Sequence, residues 1–374
     1  MTRRINGWRA ALAIGLLGAC GGSSVVEPGG GGGTGGAATG TTPAGTTPTG
    51  TTPSGTTPSG SPSPACGLGS VGAQPPPPAP DADQPVSGKV AFAVSELLIG
   101  NIDWAGVPSP SAWKQFGYNL DDRISTRDSV DLCRPSTGAA PTQAYPDGND
   151  GIDNSFGKNL LPMFMGLSPD VAEELNGSIS TGQLTILFDV AGLGAGPSYD
   201  DLYGSTWRGA PLSAAPSFDG SDVWPPYEGT DSSLLCGYAN SHTVVLTAGN
   251  PVQIPFAFSG IPWVLQVHRP IVTMELAADH QTIPRGVIAG LIPIEEMIED
   301  FRDIAGAFDT GLCQGTTFES IADQFRQASD IMQNGTQNPG ATCDAVTVGF
   351  GFRGSLVSLG EAEAPPPPPP DPCP

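Results

Sequence analysis

Apolar residues recur at two different spacings along the chain, and the spacing assigns each stretch to a strand or a helix. Residues 89–99 and 183–193 are rich in apolar and β-branched side chains, which favours strands. Five shorter apolar runs, separated by Gly, Pro, Asn and Asp as in an antiparallel meander or sandwich, lie at 243–247, 252–258, 263–267, 271–276 and 287–292. From 346 to 353 apolar residues alternate with Thr, Gly and Arg, which predicts one more strand.

Three stretches have the spacing of one apolar helical face. Residues 316–334 begin with a Thr-x-x-Glu capping box and end before an Asn-Gly pair. Residues 294–308 carry acidic side chains in the first turns, where negative charge offsets the helix dipole, and a shorter helix begins near 168–170. We predict an α+β fold that is mainly antiparallel β and sandwich-like, with two to three helices, the main ones near the C-terminal end.

The first nineteen residues have the features of a signal peptide. Three arginines precede or interrupt an apolar run at 8–17, which is too short to cross a bilayer core of ~30 Å. The run ends Leu17-Gly18-Ala19-Cys20, which resembles the lipobox of bacterial lipoproteins. The resemblance implies cleavage before Cys20 and a lipid anchor on that cysteine, and an ordinary secretory signal with an incidental cysteine is the alternative.

The same resemblance implies an address. Gly21 stands where this family uses Asp to retain a lipoprotein at the inner membrane, so the outer membrane is expected, with the protein facing the periplasm or the exterior. The membrane, reached through the lipid on Cys20, is the first expected partner.

Composition divides the rest of the chain. Most of the stretch up to residue 80 consists of Gly, Thr, Pro, Ser and Ala, with four Thr-Thr-Pro-x-Gly repeats between 41 and 60, which leaves few apolar side chains for a core. We expect a signal peptide over 1–19, a lipidated cysteine and disordered spacer over 20–83, a single folded domain over 84–362, and a Pro-rich tail over 363–374.

Charge excludes one class of partner. The chain has 15 Lys and Arg against 37 Asp and Glu, a formal charge of -22, and removal of the three arginines in 1–19 leaves 12 basic residues and a charge of -25. Such an acidic protein is unsuited to nucleic acid or to anionic lipid through a basic patch.

The remaining six cysteines are even in number, which suits disulfide bonds in an exported protein. The sequence does not choose among their connectivities, but their positions favour three disulfide bonds. Cys313–Cys343 would join the two ends of one helix, Cys133–Cys236 would cross the core, and Cys66–Cys373 would connect the spacer to the tail. Zinc is disfavoured because the chain has no Cys-x-x-Cys pair and its three histidines are widely spaced.

One string concentrates oxygen donors. Five Asp and Asn residues fall within eight positions: Asp147, Asn149, Asp150, Asp153 and Asn154. The string is similar to the calcium loops of dockerins, thrombospondin type 3 repeats and EF-hands, but Gly151 occupies the fifth position, where a ligand is expected, and no Glu follows at the twelfth. Calcium is therefore the one cofactor expected, and a loop that hydrogen-bonds to itself is the alternative.

A second polar cluster suggests a ligand site. Asp219 and Asp222 lie beside Trp224 and Tyr227, and aromatic rings next to carboxylates in sandwich loops are a feature of many carbohydrate-binding modules. The alternative is that the rings pack within the loop.

No catalytic residue can be assigned. The chain has no Gly-x-Ser-x-Gly, His-Glu-x-x-His or phosphate-binding glycine motif. The lipobox, the spacer and the string from Asp150 to Gly157 together resemble a group of uncharacterised myxobacterial-type lipoproteins, which implies no activity. We expect a non-enzymatic module that binds a glycan or protein ligand; a carboxylate-based polysaccharide hydrolase and a structural envelope protein are the alternatives.

Overall fold

The computed structural model describes residues 68–247, 249–258, 261–367 and 372–373. The predicted signal peptide, Cys20, Cys66 and the part of the predicted spacer up to residue 67 lie outside these residues. Expectations about them stay predictions.

Ten strands form one mainly antiparallel sheet within the described residues: β1 (Lys89–Leu98), β2 (Ile186–Ala191), β3 (Tyr199–Arg208), β4 (Val223–Trp224), β5 (Ser232–Asn240), β6 (Thr243–Thr247), β7 (Val252–Phe258), β8 (Ile261–Glu275), β9 (Thr282–Pro293) and β10 (Ala345–Leu359). The hydrogen-bonded order is β1-β2-β3-β5-β6-β8-β9-β10-β4, and β7 pairs with β8. Because β10 also pairs with β1, eight of the strands close into a ring. The α+β class is confirmed, and the pairing gives a single closed sheet in place of two stacked ones.

The described residues contain five α-helices: α1 (Pro141–Ala144), α2 (Leu161–Leu167), α3 (Val171–Ser180), α4 (Ile294–Phe308) and α5 (Thr316–Gln327). The bounds of α4 are those predicted. Helix α5 begins at the predicted residue but ends at Gln327, and its N-cap is Gly315 with no side-chain cap, so the expected capping box does not form.

Strands and helices share one apolar core. Its largest fully buried rings come from β1, β2, β10 and the helices, among them Phe92, Phe188, Phe301 and Phe350. Phe301 of α4 stacks near Phe318 of α5, with ring centroids 6.4 Å apart. Burial of this apolar surface drives the helices onto the sheet.

The chain is bonded to this domain beyond the boundaries 84 and 362. Before residue 84, the Ala73 amide donates to the Asp150 carbonyl at 2.8 Å and the Tyr238 hydroxyl donates to the Pro76 carbonyl at 2.5 Å. At the other end, Glu363 pairs with Tyr227 and Cys373 is disulfide-bonded to Cys313.

The disulfide bonds are present, but every predicted pairing is wrong. Cys133 joins Cys343 and Cys313 joins Cys373, each with Cα atoms 5.1 Å apart, and Cys236 is disulfide-bonded as well. Cys343 meets Cys133 because the segment before β10 runs beside residue 134, where backbone hydrogen bonds hold the two chains together. Position along the chain is therefore a poor guide to these pairs.

The side-chain amide of Asn154 joins the loop segments to the sheet through a set of hydrogen bonds to backbone atoms, which we call the clamp. Asn154 accepts from the Gly349 amide at 3.2 Å and donates to the Gly349 carbonyl at 2.9 Å, as a neighbouring strand would. It also donates to the Trp113 and Phe116 carbonyls and accepts from the Gly157 amide. The backbone at Phe116 lies so close to β10 that residue 349 must be glycine, since a Cβ at Gly349 would lie 2.2 Å from the Phe116 carbonyl oxygen.

We predict that Gly349→Ala destabilises the domain, because backbone atoms rather than a flexible side chain stand in the way of the added methyl. Overpacking of this kind costs about 1–3 kcal/mol, or a fall of roughly 3–10 °C in Tm. Thermal unfolding followed by circular dichroism measures the change.

Gly177→Ala in α3 is the matched control. No atom lies within 4 Å of a Cβ there, and alanine favours a helix over glycine by up to about 1 kcal/mol, so Tm stays constant or rises. Equal shifts in the two variants would contradict the clamp.

Candidate functional site

The five residues of the expected calcium loop differ in their surroundings. Asn149 and Asp150 lie in a short 3-10 turn and are exposed, whereas Asp153 and Asn154 are buried. The Asn154 amide is fully used by the clamp. Among the described residues, no group of three or more His, Cys, Asp or Glu side chains is placed to hold a metal ion.

Two members of the string instead join carboxylates from distant parts of the chain. Asp147 and Asp153 interact electrostatically with Asp121 and Asp330, and Lys158 lies near Asp147 and Asp330. We call these five residues the carboxylate cluster. Backbone amides donate to four of its members: Arg123 N to Asp121, Ser125 N to Asp147, Leu120 N to Asp153 at 2.7 Å, and Thr347 N to Asp330 at 2.9 Å.

Burial dominates the electrostatics of the cluster. It raises the pKa of Asp147 and of Asp330 to about 7 each and that of Asp153 well above its usual range, with repulsion between the carboxylates adding to it. Burial also lowers the pKa of Lys158 to about 8, against the attraction of Asp330 and Asp147. The cluster therefore holds protons near neutral pH, where exposed carboxylates are ionised.

The second expected ligand site is a self-bonded loop. Asp219 accepts from the hydroxyls of Ser221 and Ser217, at 2.6 Å and 2.7 Å, which holds its pKa at about 2. Asp222 accepts from the Phe218 amide at 2.7 Å.

The two rings of that site are engaged in the domain. Trp224 is fully buried and its Nε1 donates to the Ala210 carbonyl at 2.8 Å. Tyr227 is half-buried, with the Arg208 guanidinium 5.7 Å from its ring centroid. Trp224 therefore presents no ring face to a sugar.

A different place combines an exposed surface with polar and aromatic groups. On the outer face of β6, β8 and β9, away from the apolar core, lies a cavity of about 290 Å³, which we call the Trp104 pocket. Its lining includes Gln74, Trp104, Gln115, Tyr118, Glu275 and Arg285. Ile152 of the Asp-rich string lines it too, so the pocket adjoins the clamp.

Packing fixes the two rings of the Trp104 pocket. Trp104 meets Phe116 edge to face with ring centroids 4.9 Å apart, and the Arg285 guanidinium lies 5.3 Å from the Trp104 ring centroid. The Tyr118 hydroxyl is 2.8 Å from Thr273 Oγ1, and burial raises the pKa of Tyr118 to about 12, so the phenol stays neutral.

Three charged or amide groups complete the pocket. Glu275 and Arg285 are exposed and face each other in the register of β8 and β9. Gln74 donates through Nε2 to the Asn119 carbonyl at 2.7 Å, whereas its Oε1 is buried with no hydrogen-bond partner among the described residues. Exchanging the two ends of the Gln74 amide would place Oε1 beside the Asn119 carbonyl oxygen, where two acceptors repel each other. The atom without a partner is therefore the acceptor Oε1.

Sequence reasoning missed this pocket and one further contact. Trp104 and Tyr118 lie in loop sequence without periodicity, and the polar residues of β8 and β9 alternate with the apolar ones that predicted the strands. His242 and His280 are 38 residues apart in sequence, yet His242 Nδ1 lies 2.9 Å from His280 Nε2, because the β5–β6 and β8–β9 turns are neighbours.

No known protein family, curated protein or solved structure matches the chain. In the part of the chain that the structure describes, no helix is long and apolar enough to cross a membrane. Geometry and chemistry are accordingly the grounds for a functional proposal.

We predict that the domain loses stability as pH rises from about 5 to about 8. Carboxyl groups with a folded-state pKa near 7, raised from 3.8, contribute stability that is complete below about pH 4 and is lost as pH rises through about 7. Asp147→Asn and Asp330→Asn remove the titrating groups, so both variants show a flatter dependence of Tm on pH.

Asp150→Asn is the matched control, because Asp150 belongs to the same string but is exposed. Its Tm follows the wild-type pH profile. A wild-type slope retained in all three variants would rule out the cluster as its source. Calcium added at about pH 7.5 tests the calcium hypothesis in the same assay, since a bound cation would replace the protons and raise Tm.

Proposed function

We propose that this protein is a lipid-anchored envelope lipoprotein whose folded domain binds a saccharide in the Trp104 pocket. The lipobox supports the anchor, and the pocket supports the ligand class. Its walls offer an aromatic ring, a neutral phenol, amides and a Glu–Arg pair, which suits a ligand that presents both C–H faces and hydroxyl groups.

The observation that carries this proposal is the Gln74 acceptor. Buried polar atoms in proteins are nearly always hydrogen-bonded, so the unpartnered Oε1 of Gln74, a residue that lines the cavity, calls for a donor. A sugar hydroxyl is such a donor. Trp104 and Glu275 line the same cavity and supply an aromatic wall and a second acceptor.

A carboxylate-based hydrolase is the second candidate, favoured by the carboxylate cluster. Asp147, with its pKa near 7, has the proton affinity of a general acid or base at neutral pH. Hydrolysis of a polysaccharide that is abolished by Asp147→Asn and retained in Glu275→Gln would support this candidate over simple binding.

We predict that Trp104→Ala and Glu275→Gln each weaken glycan binding by at least about tenfold, because they remove the aromatic wall and a hydrogen-bonding charge. A glycan array identifies the ligand, and titration calorimetry with the best ligand measures the loss. Glu275 is exposed, so Glu275→Gln leaves Tm unchanged and separates binding from folding.

Asp128→Asn removes one acidic charge elsewhere, at a side chain that is 82% exposed, and retains full binding. An array on which no glycan binds the wild type, or a glycan bound equally by all the variants, would overturn the assignment of the pocket.

The anchor has its own prediction. Cys20→Ser loses both the lipid and membrane fractionation, which labelling with a radioactive fatty acid and ultracentrifugation measure. Gly21→Asp keeps the lipid but moves the protein to the inner membrane. A Cys20→Ser protein that still carries label would place the lipid elsewhere.

A further inference from the structure

A second cavity lies on the same outer face, built around a distortion of β8. It has a volume of about 430 Å³ and shares no lining residue with the Trp104 pocket. We call it the Arg269 pocket. Its polar side chains include Asn119, His268, Arg269 and Gln333.

The residues that line the pocket differ in charge from the chain as a whole. The chain has 37 acidic and 15 basic residues, yet the fifteen residues that line the cavity include no Asp or Glu. Their ionisable members are His268 and Arg269. Several of the other lining residues are apolar, including Leu120, Ile271 and Leu291, so the cavity combines a cationic side chain with apolar walls.

Arg269 is held in an unfavourable backbone conformation. The pairing of β8 with β9 shifts between His268 and Ile271, which places one extra residue in β8, and Arg269 adopts a φ of 49°. A left-handed φ costs a non-glycine residue about 1–2 kcal/mol. Such bulges and strained residues concentrate at binding and active sites, where they redirect a side chain.

Neighbouring residues are shaped to accept this distortion. Gly290 lies opposite the bulge, where a Cβ would be 2.6 Å from the His268 carbonyl oxygen, and at Gly335 a Cβ would be 2.7 Å from Arg269 Nε. The His268 ring is held by Glu296, with Nε2 3.1 Å from Oε1. Two glycines thus leave room for the bulge and for the Arg269 side chain.

The guanidinium is left without a protein partner. Arg123, Arg326 and Arg353 each have a carboxylate partner, whereas the Arg269 side chain has no ion pair or hydrogen bond among the described residues. Guanidinium groups bind carboxylates through two parallel hydrogen bonds. An unpaired arginine on the wall of an acid-free cavity is therefore suited to an anion.

We propose that the Arg269 pocket binds a small organic carboxylate, with Arg269 holding the carboxylate group and the apolar wall holding the rest of the molecule. The volume lies in the range of small-molecule sites. A single cation matches one negative charge, and the apolar lining distinguishes this ligand from inorganic phosphate. The site is separate from the proposed saccharide pocket and stands without it.

Sodium benzoate, benzamide and sodium phosphate are the probes, because benzoate and benzamide have the same shape and differ in charge. Saturation-transfer NMR and competition titration on the wild-type protein detect binding of benzoate, with at least about tenfold weaker binding of benzamide and phosphate. Wild-type protein that does not bind benzoate at about 10 mM, or that prefers phosphate, would overturn the proposal.

Arg269→Gly separates binding from folding. Glycine relieves the left-handed strain, so Tm does not fall, while benzoate binding weakens by at least about tenfold. Gly335→Asn keeps the arginine but places a side chain against its guanidinium, and asparagine tolerates the φ of 77° found there, so it also weakens binding.

Arg127→Gln is the charge-matched control, because the Arg127 side chain is 69% exposed and its removal changes net charge equally. It leaves benzoate binding unchanged. If Arg269→Gly bound benzoate as tightly as the wild type does, the guanidinium would have no part in the site. If Arg269→Gly and Arg127→Gln lost benzoate affinity equally, net charge alone would explain the loss.

Discussion

The contact between the Asn154 amide and the Gly349 backbone is the constraint on which the outer face depends. It holds the segment around Trp113 and Phe116 against β10, and Phe116 in turn supports Trp104 from the edge. One residue earlier, Asp153 fixes Leu120, a wall of the Arg269 pocket. The loops that this clamp positions therefore cover both pockets. A string with the composition of a calcium loop acts here through hydrogen bonds to protein backbone.

The position of the clamp has an unfavourable electrostatic consequence, because it brings buried carboxylates of the carboxylate cluster close together. Asp153 is brought to the surface of β10 together with Asn154, and this sets its carboxylate among Asp121, Asp147 and Asp330. Burial and mutual repulsion disfavour the ionised forms, so the cluster retains protons near neutral pH. The Arg269 pocket shows the complementary case, a cation on a cavity whose lining includes no Asp or Glu, in a chain that has an excess of them.

Sequence periodicity predicted those elements whose burial is regular. Helix α4 was predicted with its observed bounds, and β6 and β7 match the apolar runs at 243–247 and 252–258. Strand β3 was missed because its buried positions alternate irregularly and include Gly204, and β5 because Ser and Gly interrupt its apolar residues. The disulfide pairs and both pockets depend on contacts between residues that are distant along the chain. Arg269 carried no signal at all, since only the bulge and the absence of a partner distinguish it.

The segment at 68–77 connects these features to the proposed anchor. Gln74 lines the Trp104 pocket, Leu68 and Gly69 line the Arg269 pocket, and the segment is held by Asp122, Asn119 and the Asp150 carbonyl. Residues 68–77 fall within the predicted spacer of 20–83, yet their hydrogen bonds hold them against the domain as a wall that both pockets share. A ligand in either pocket contacts residues of this wall and stabilises it by mass action. Under the proposed function, occupancy of the pockets and attachment of the tether would act on this same short stretch of backbone.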